Sequence, residues 1–323
     1  MEVNKIKNSL SKNNLQDSYN RASSYFVKTP IIKANFLSAY LDTNIYLKLE
    51  DQQKTSAFKF RGAINALLPL KSSGNEKTVV CSSSGSHAMG MCQAGKELGI
   101  NVIVFLPNIT PEYKVQKIKK LGGDIKFFGE FLVEAQAEAE RYANDRNLSY
   151  ISPYNHPATI QGNGGFIAWE IMDSEINFSK IICPIGGGGL IAGLATALTI
   201  NGYVSDVIGV ESEANPSMKN AISNNDVNFP LDPKESIAEA LNCSVSYTGF
   251  LLIQEYVKDI CLVPELTIKE AMKILLKKEK LLTEGSGAIS TAHLLKNINY
   301  IEKENYLLLV TGANIKKSSI INL

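Results

Sequence analysis

The sequence predicts an α/β protein with largely parallel sheets and helices on both faces. Two observations predict it. Short β-rich runs alternate with longer helical ones along the chain, and the connections are short and rich in Gly, Ser and Pro. There is no fixed-period repeat, low-complexity tract or long linker. Open parallel sheets bind ligands beyond the carboxyl ends of their strands, so unusual sequence at those ends marks where function resides.

The elements follow in order. "NIYLKL" (44–49) precedes a helical run from Phe58 to Leu70, and "TVVCS" (78–82) one from His87 to Leu98. "NVIVFL" (101–106) leads into "EYKVQKIKKL", and "DIKFF" (124–128) into "LVEAQAEAERYANDR". Later "KIICPI" (180–185) precedes "LIAGLATAL", "DVIGVE" (206–211) precedes another helix, and "NYLLLV" (305–310) closes the series.

Bulk properties narrow the partners. The 323 residues can form one large or two modest domains with a substantial core. Lys and Arg number 33 against 32 Asp and Glu, a formal charge of +1, so neither nucleic acid nor an anionic membrane is favoured and a small substrate is expected. The first twenty residues are polar and do not read as a signal peptide. The most apolar stretch, "LIAGLATALTI" (190–200), is too short to span a bilayer. Cys81, Cys92, Cys183, Cys243 and Cys261 form no C-x-x-C pair and read as free thiols in a reducing cytoplasm. His87, His156 and His293 lack metal-ligand spacing.

Four strand ends carry unusual sequence. In "CPIGGGGLIAGL" (183–194), Gly186, Gly187, Gly188 and Gly189 link a strand to a helix. Their N–H groups and the helix N-terminus suit an anion. The spacing is neither Walker-A nor G-x-G-x-x-G, so a compact terminal phosphate fits better than a dinucleotide; a plain flexible turn is the alternative. In "CSSSGSHAMG" (81–90), hydroxyls and free N–H groups could receive a carboxylate, or simply cap a helix. In "KTSAFKFRGA" (54–63), Thr55 or Ser56 can cap a helix whose first turn holds Lys59 between Phe58 and Phe60. A cation there opposes the helix dipole, and flanking rings desolvate it; both favour the neutral amine a Schiff base needs, although a snorkelling surface lysine would look similar. In "LLLVTGANI" (307–315), Thr311 puts a hydroxyl at the rim of the sheet.

Together and in this order, the motifs resemble the fold-type-II pyridoxal-phosphate enzymes, specifically the threonine/serine dehydratase and serine racemase group. The resemblance runs from about Ser23 to Asn314 and includes "KLED", "PNITPEYKVQKIKKLGG", "SPYNHP", "GNGGFIAWEI", "GVE" and "EGSGA". It implies two open twisted sheets with helices on both faces, in a tryptophan synthase β-like architecture. It also implies a large cofactor-binding domain of residues 1–77 and 156–323 and a small mobile domain of residues 78–155.

By the same resemblance, pyridoxal 5'-phosphate is the cofactor and Lys59 its Schiff-base lysine. Gly186, Gly187, Gly188, Gly189 and Leu190 would hold the phosphate through backbone N–H, Thr311 would face the pyridine nitrogen, and Asn155 would lie near the cofactor. Ser83, Ser84, Gly85 and His87 would line the substrate-carboxylate loop. A hydroxyl at Thr311 in place of a carboxylate leaves the pyridine nitrogen largely unprotonated, a milder electron sink suited to prompt departure of a β-leaving group. The implied reaction is α,β-elimination: Lys59 takes the α-proton of a β-hydroxy amino acid, and a 2-oxo acid and ammonia result. Ser84, on the opposite face, would permit racemisation. A homodimer is usual for the group, and without the further C-terminal regulatory domain of its larger members, feedback control is not expected.

Three departures from the pattern stand out. Ser86 replaces the asparagine whose amide bonds the cofactor's 3-oxygen, so Ser86 becomes the cofactor-facing residue there. Ser56-Ala57 replaces Gly-Ser or Gly-Ala, and "SIAEAL" (236–241) stands where an Ala-Asp-Gly turn is common. Some relatives bind a divalent metal near "GVE"; Glu211 is present but the downstream carboxylate position is Ser217, so no metal is expected. Besides elimination, the residues leave open serine racemisation, dehydration of 3-hydroxyaspartate, β-replacement, and a catalytically impaired binding protein.

Overall fold

The computed structural model describes residues 2–74, 77–230, 232 and 234–315; residues 316–323 of the expected large-domain span lie outside these. Its strands form two sheets. The larger contains β1 (Ile31–Lys33), β2 (Asn44–Leu49), β7 (Lys180–Pro184), β8 (Asp206–Ser212), β9 (Asp259–Val263) and β10 (Asn305–Val310). Their spatial order is β1-β2-β10-β7-β8-β9, parallel except for the β1–β2 edge pair. The smaller contains β3 (Thr78–Ser82), β4 (Asn101–Leu106), β5 (Asp124–Phe127) and β6 (Ser149–Tyr150), ordered β5-β4-β3-β6 and parallel throughout. All four lie between residues 78 and 150.

Continuous apolar strands are what a sheet buried on both faces requires, because successive side chains point to opposite sides. On β10, Leu307 and Leu309 enter one core while Leu308 and Val310 enter another. On the smaller sheet, Val79, Cys81, Val102 and Val104 join the first of these cores, whereas Val80, Ile103 and Phe105 pack on Ala135, Ala139 and Ala143 of the helix Leu132–Asp145. One core is therefore shared by both sheets, and each sheet has a second core on its other face.

The structure adds elements that the periodicity did not announce. Two helices, Glu2–Ser9 and Lys12–Ala22, open the chain; their Ile6 and Leu15, and Leu10 in the turn between them, are fully buried. Three of the four edge strands are also new: β1 and β6 have three and two residues, and β9 is irregularly buried, so none shows a sustained pattern.

The lysine helix departs in one detail from expectation. It runs Lys59–Ser73 with Phe58 at its N-cap, and neither Thr55 nor Ser56 caps it. Both have left-handed backbone, at φ 64° and 52°. This turn is held by the chain just past β10: Phe58 N–H donates to Thr311 O, Ala313 N–H donates to Ser56 O, and Ala57 pairs with Gly312.

Candidate active site

The carboxyl ends of β3, β7 and β10 open on one cavity of about 480 Å³. Lys59 enters it from the first turn of its helix, where its ammonium lies 5.0 Å from the centre of the Phe58 ring and donates to the carbonyl of Pro153 at 3.1 Å. Phe60 does not flank it: that ring is fully buried and meets Lys54 instead, because neighbours in a helix do not share a face. Lys59 is partly buried and lines the cavity. Burial pushes its pKa down to about 8, against a small opposing influence of Cys243.

The four glycines follow β7 and start the helix Gly189–Ile200. Three of them, Gly187, Gly188 and Gly189, need to be glycine for steric reasons. A Cβ on Gly187 would sit 2.6 Å from the Tyr154 ring, and Gly188 has φ 94°. Gly186, Gly187, Gly188, Gly189 and Leu190 all border the cavity.

Ser83, Ser84 and Gly85 form the turn after β3, and Ser86 begins the helix Ser86–Leu98; all four border the cavity. His87 borders it too but is 2% exposed, and its Nε2 lies 3.0 Å from the carbonyl of Ile151. Burial, reinforced by the charge of Lys59, lowers its pKa to about 3, so it is a neutral imidazole donating from Nε2 to that carbonyl. Thr311, 4% exposed, closes β10, and its hydroxyl donates to the carbonyl of Ser286 at 3.3 Å. Asn155 stands behind the lining, where its side-chain oxygen accepts from the Ser246 hydroxyl at 2.5 Å. Ser246 N–H in turn donates to the carbonyl of Gly187, so Asn155 reaches the glycine loop through one intermediary.

Among the lining residues to which the sequence reading gave no role are Asn314, Ser286, Glu284 and Cys243. The Glu284 carboxyl is pushed up to about 7 by burial, with Glu239 adding to the effect. Only the composite end of β10 with "EGSGA" could have flagged the first three. Both oxygens of Glu211 accept backbone N–H groups, from Met218 and Lys219. Among the described residues no three His, Cys, Asp or Glu converge as metal ligands.

An amine biased toward its neutral form thus shares a cavity with a glycine-amide cradle and a row of hydroxyls. Such an arrangement can bind an anion at one end and attack a carbonyl at the other. Comparison with known proteins agrees. Residues 22–312 match the model of the pyridoxal-phosphate dependent enzyme family. The chain is 34% identical over 295 residues to the catabolic L-threonine dehydratase TdcB of Staphylococcus aureus strain USA300, covering 89% of this chain and 84% of that protein. The processed form of threonine deaminase isoform 2 from Solanum lycopersicum superposes with a TM-score of 0.88 at 29% identity, covering 97% of this chain and 88% of that one. Serine racemase from Dictyostelium discoideum superposes at 0.85 with 26% identity, over 94% and 98%. The chain belongs to the pyridoxal-phosphate dependent enzymes.

Proposed function

We propose that this protein is a threonine/serine dehydratase, which eliminates the β-hydroxyl of a small amino acid to give a 2-oxo acid and ammonia. The observation that carries the reading is Lys59: an amine with lowered basicity that lines one cavity with four glycines. Its sequence relationship to L-threonine dehydratase supports the substrate class.

The residues fit pyridoxal phosphate on structural grounds. The glycine loop is a cradle that side chains would fill, since a Cβ on Gly187 meets Tyr154 and one on Gly189 would lie 2.9 Å from the Tyr154 backbone. Gly186 to Gly189 and Leu190 would hold the phosphate, Lys59 would bind the aldehyde carbon, and Thr311 would face the pyridine nitrogen. Asn155 would act on the glycine loop through Ser246. When bound, the cofactor supplies an electron sink for the α-carbon.

The chain's own groups do the rest. Ser83, Ser84 and Gly85 hold the substrate carboxylate with hydroxyls and N–H groups, and His87 braces that loop against Ile151. Lys59, neutral when it acts, accepts the α-proton. Residues 78–155, which include the whole smaller sheet, form the small domain that moves over the rest. The enzyme works as a cytoplasmic homodimer; five free cysteines accord with a reducing compartment. Among the described residues no helix is long and apolar enough to cross a membrane.

A second reading, serine racemisation, is favoured by one observation: Ser84 borders the cavity with Lys59 and can offer a second proton-bearing group. One assay addresses both. Protein loaded with pyridoxal phosphate is given L-threonine or L-serine, and 2-oxo acid release and the chirality of recovered serine are measured. Oxo-acid release from the native protein, falling by about 10²–10⁴-fold or more in Lys59→Ala, is expected. A loaded protein that releases none from either amino acid sinks the dehydratase reading.

A further inference from the structure

The departure at position 86 has a counterpart on the far side of the cavity. Asn314, just past β10, donates from Nδ2 to the carbonyl of Thr55 at 2.9 Å and to the hydroxyl of Ser86 at 3.0 Å. An amide nitrogen carries two protons and accepts none, so both of its protons are used. Turning the amide over would set its oxygen against the Thr55 carbonyl, acceptor against acceptor; Thr55 therefore fixes which way Asn314 points. The Ser86 oxygen accepts, and the hydroxyl keeps its single proton for another partner. Among the described residues no protein group takes that proton.

Position decides where it goes. Ser86 lies four residues before Gly90 on one helix, and residues so spaced share a face. Gly90 rests on the lysine backbone: a Cβ there would be 3.2 Å from the carbonyl carbon and oxygen of Lys59. Ser86 thus opens at the Lys59 end of the cavity, which Ser86 and Asn314 both border. In pyridoxal phosphate the ring hydroxyl is ortho to the aldehyde carbon that a lysine binds. An acceptor oxygen accordingly comes with the cofactor to the Lys59 end.

By the resemblance, position 86 faces this ring oxygen; we infer that Asn314 is the positioning residue that fixes the polarity of the Ser86 hydroxyl, so that it donates toward that oxygen. The inference rests on the cofactor reading above and deepens it. An amide from 228 residues away in the chain takes up the acceptor side of the serine, leaving a group that can only donate toward the cavity. The same amide ties down the left-handed turn at Thr55, so it links the lysine loop, the serine loop and the end of β10.

The test is spectroscopic. A hydrogen bond donated to the ring oxygen favours its ionised form, which gives the lysine-bound cofactor its yellow colour over the near-ultraviolet form. The protein is loaded with pyridoxal phosphate and its absorption is followed across neutral and alkaline pH. Ser86→Ala, which removes one oxygen, is expected to shift the ratio of yellow to near-ultraviolet form by about tenfold. Asn314→Asp presents an acceptor to Ser86, draws its proton away from the cavity and produces a shift in the same direction. In the Ser86→Ala background Asn314→Asp then adds little, a non-additivity that a purely structural role would not give. Ser86→Asn, which brings its own amide donor, restores the yellow form.

An unchanged spectrum in Ser86→Ala, with borohydride still fixing the pyridoxyl group to Lys59, overturns the inference alone. So does an Asn314→Asp shift of equal size with and without Ser86. If borohydride leaves no pyridoxyl group on Lys59 of the native protein, the cofactor reading itself falls and takes this inference with it.

Discussion

Two cations stand two residues apart on one helix and meet opposite fates. Arg61 is fully buried and saturated with partners. Its guanidinium donates to Glu50 at 2.7 and 2.9 Å and to Glu170 at 2.7 and 2.9 Å, with further bonds to Thr29 and the carbonyl of Val27. Lys48 completes the cluster beside Glu170, and Tyr19 donates to the same carboxylate. Burial alone would lower the Arg61 pKa, but the two carboxylates outweigh it and hold it above its ordinary value. Lys59 has one carbonyl, a ring and no carboxylate; there burial wins and the pKa falls to about 8. Desolvation with full compensation locks a structure, whereas desolvation without it leaves a group ready to lose its proton. Arg61 anchors the helix that presents Lys59, tying it to Glu50, just past β2, and to the helix Phe166–Met172.

The comparison can be broken most forcefully at Arg61. Arg61→Met leaves Glu50 and Glu170 buried with Lys48 as their remaining cation, and should destabilise the protein by about 3–5 kcal/mol in denaturant titration. A loss under about 1 kcal/mol would mean the cluster does not anchor the helix.

A smaller effect concerns pH. Cofactor capture needs the neutral amine, and a lysine with pKa about 8 is largely neutral one unit above that value and largely charged one unit below. The rate at which cofactor-free protein takes up pyridoxal phosphate should rise about tenfold from pH 7 to 9 and then level off. A rate still climbing toward the ordinary lysine pKa of 10.5 would show that the amine is not desolvated.

Stability should respond to Lys59 in the reverse sense from Arg61. Lys59→Met removes an uncompensated cation and should stabilise the cofactor-free protein by about 0.5–2 kcal/mol near neutrality while abolishing turnover. The sign with pH follows from the lowered pKa. Below pH 8 both folded and unfolded chains carry the proton and the cost of burying it is complete. As pH rises from there toward 10.5, the folded chain is neutral while the unfolded chain still binds the proton, so native stability climbs and the advantage of the variant fades.

The smallest change is at the strained turn ahead of the lysine. Thr55 is β-branched, has φ 64°, and buries a hydroxyl without a partner among the described residues. Thr55→Gly relieves both and should raise the melting temperature, by the equivalent of about 1 kcal/mol, because relief of strain exceeds the added freedom of the unfolded chain. A drop would show that the side chain, not the β10 tail, holds the turn.

Much of this was legible from local signals. Long apolar runs such as "NVIVFL" and "NYLLLV" became β4 and β10, since a strand buried on both faces needs no alternation. Lys59, the glycine loop and the serine loop share a cavity because parallel strands bring their carboxyl ends to one side. Of the four edge strands only β5 was legible: β1 and β6 are too short, and β9 too irregularly buried, to form a pattern. Nor was the turn before Lys59: Thr55 and Ser56 look like caps, and only their pairing with residues 311–314 forces them into left-handed backbone.

By itself, the sequence determined the architecture, the family, and which amine and which glycines face one another, for these depend on local patterns and on the fixed hand and direction of βα units. The tertiary structure alone decided the state of those groups. Lys59 lacks a carboxylate while Arg61 has two, and the Ser86 proton is left for the cavity because Asn314 arrives behind it. Glu170 lies 109 residues from Arg61, and Asn314 lies 228 from Ser86. Charge compensation and hydrogen-bond polarity act over a few ångströms of space, and no spacing along a chain encodes such distances.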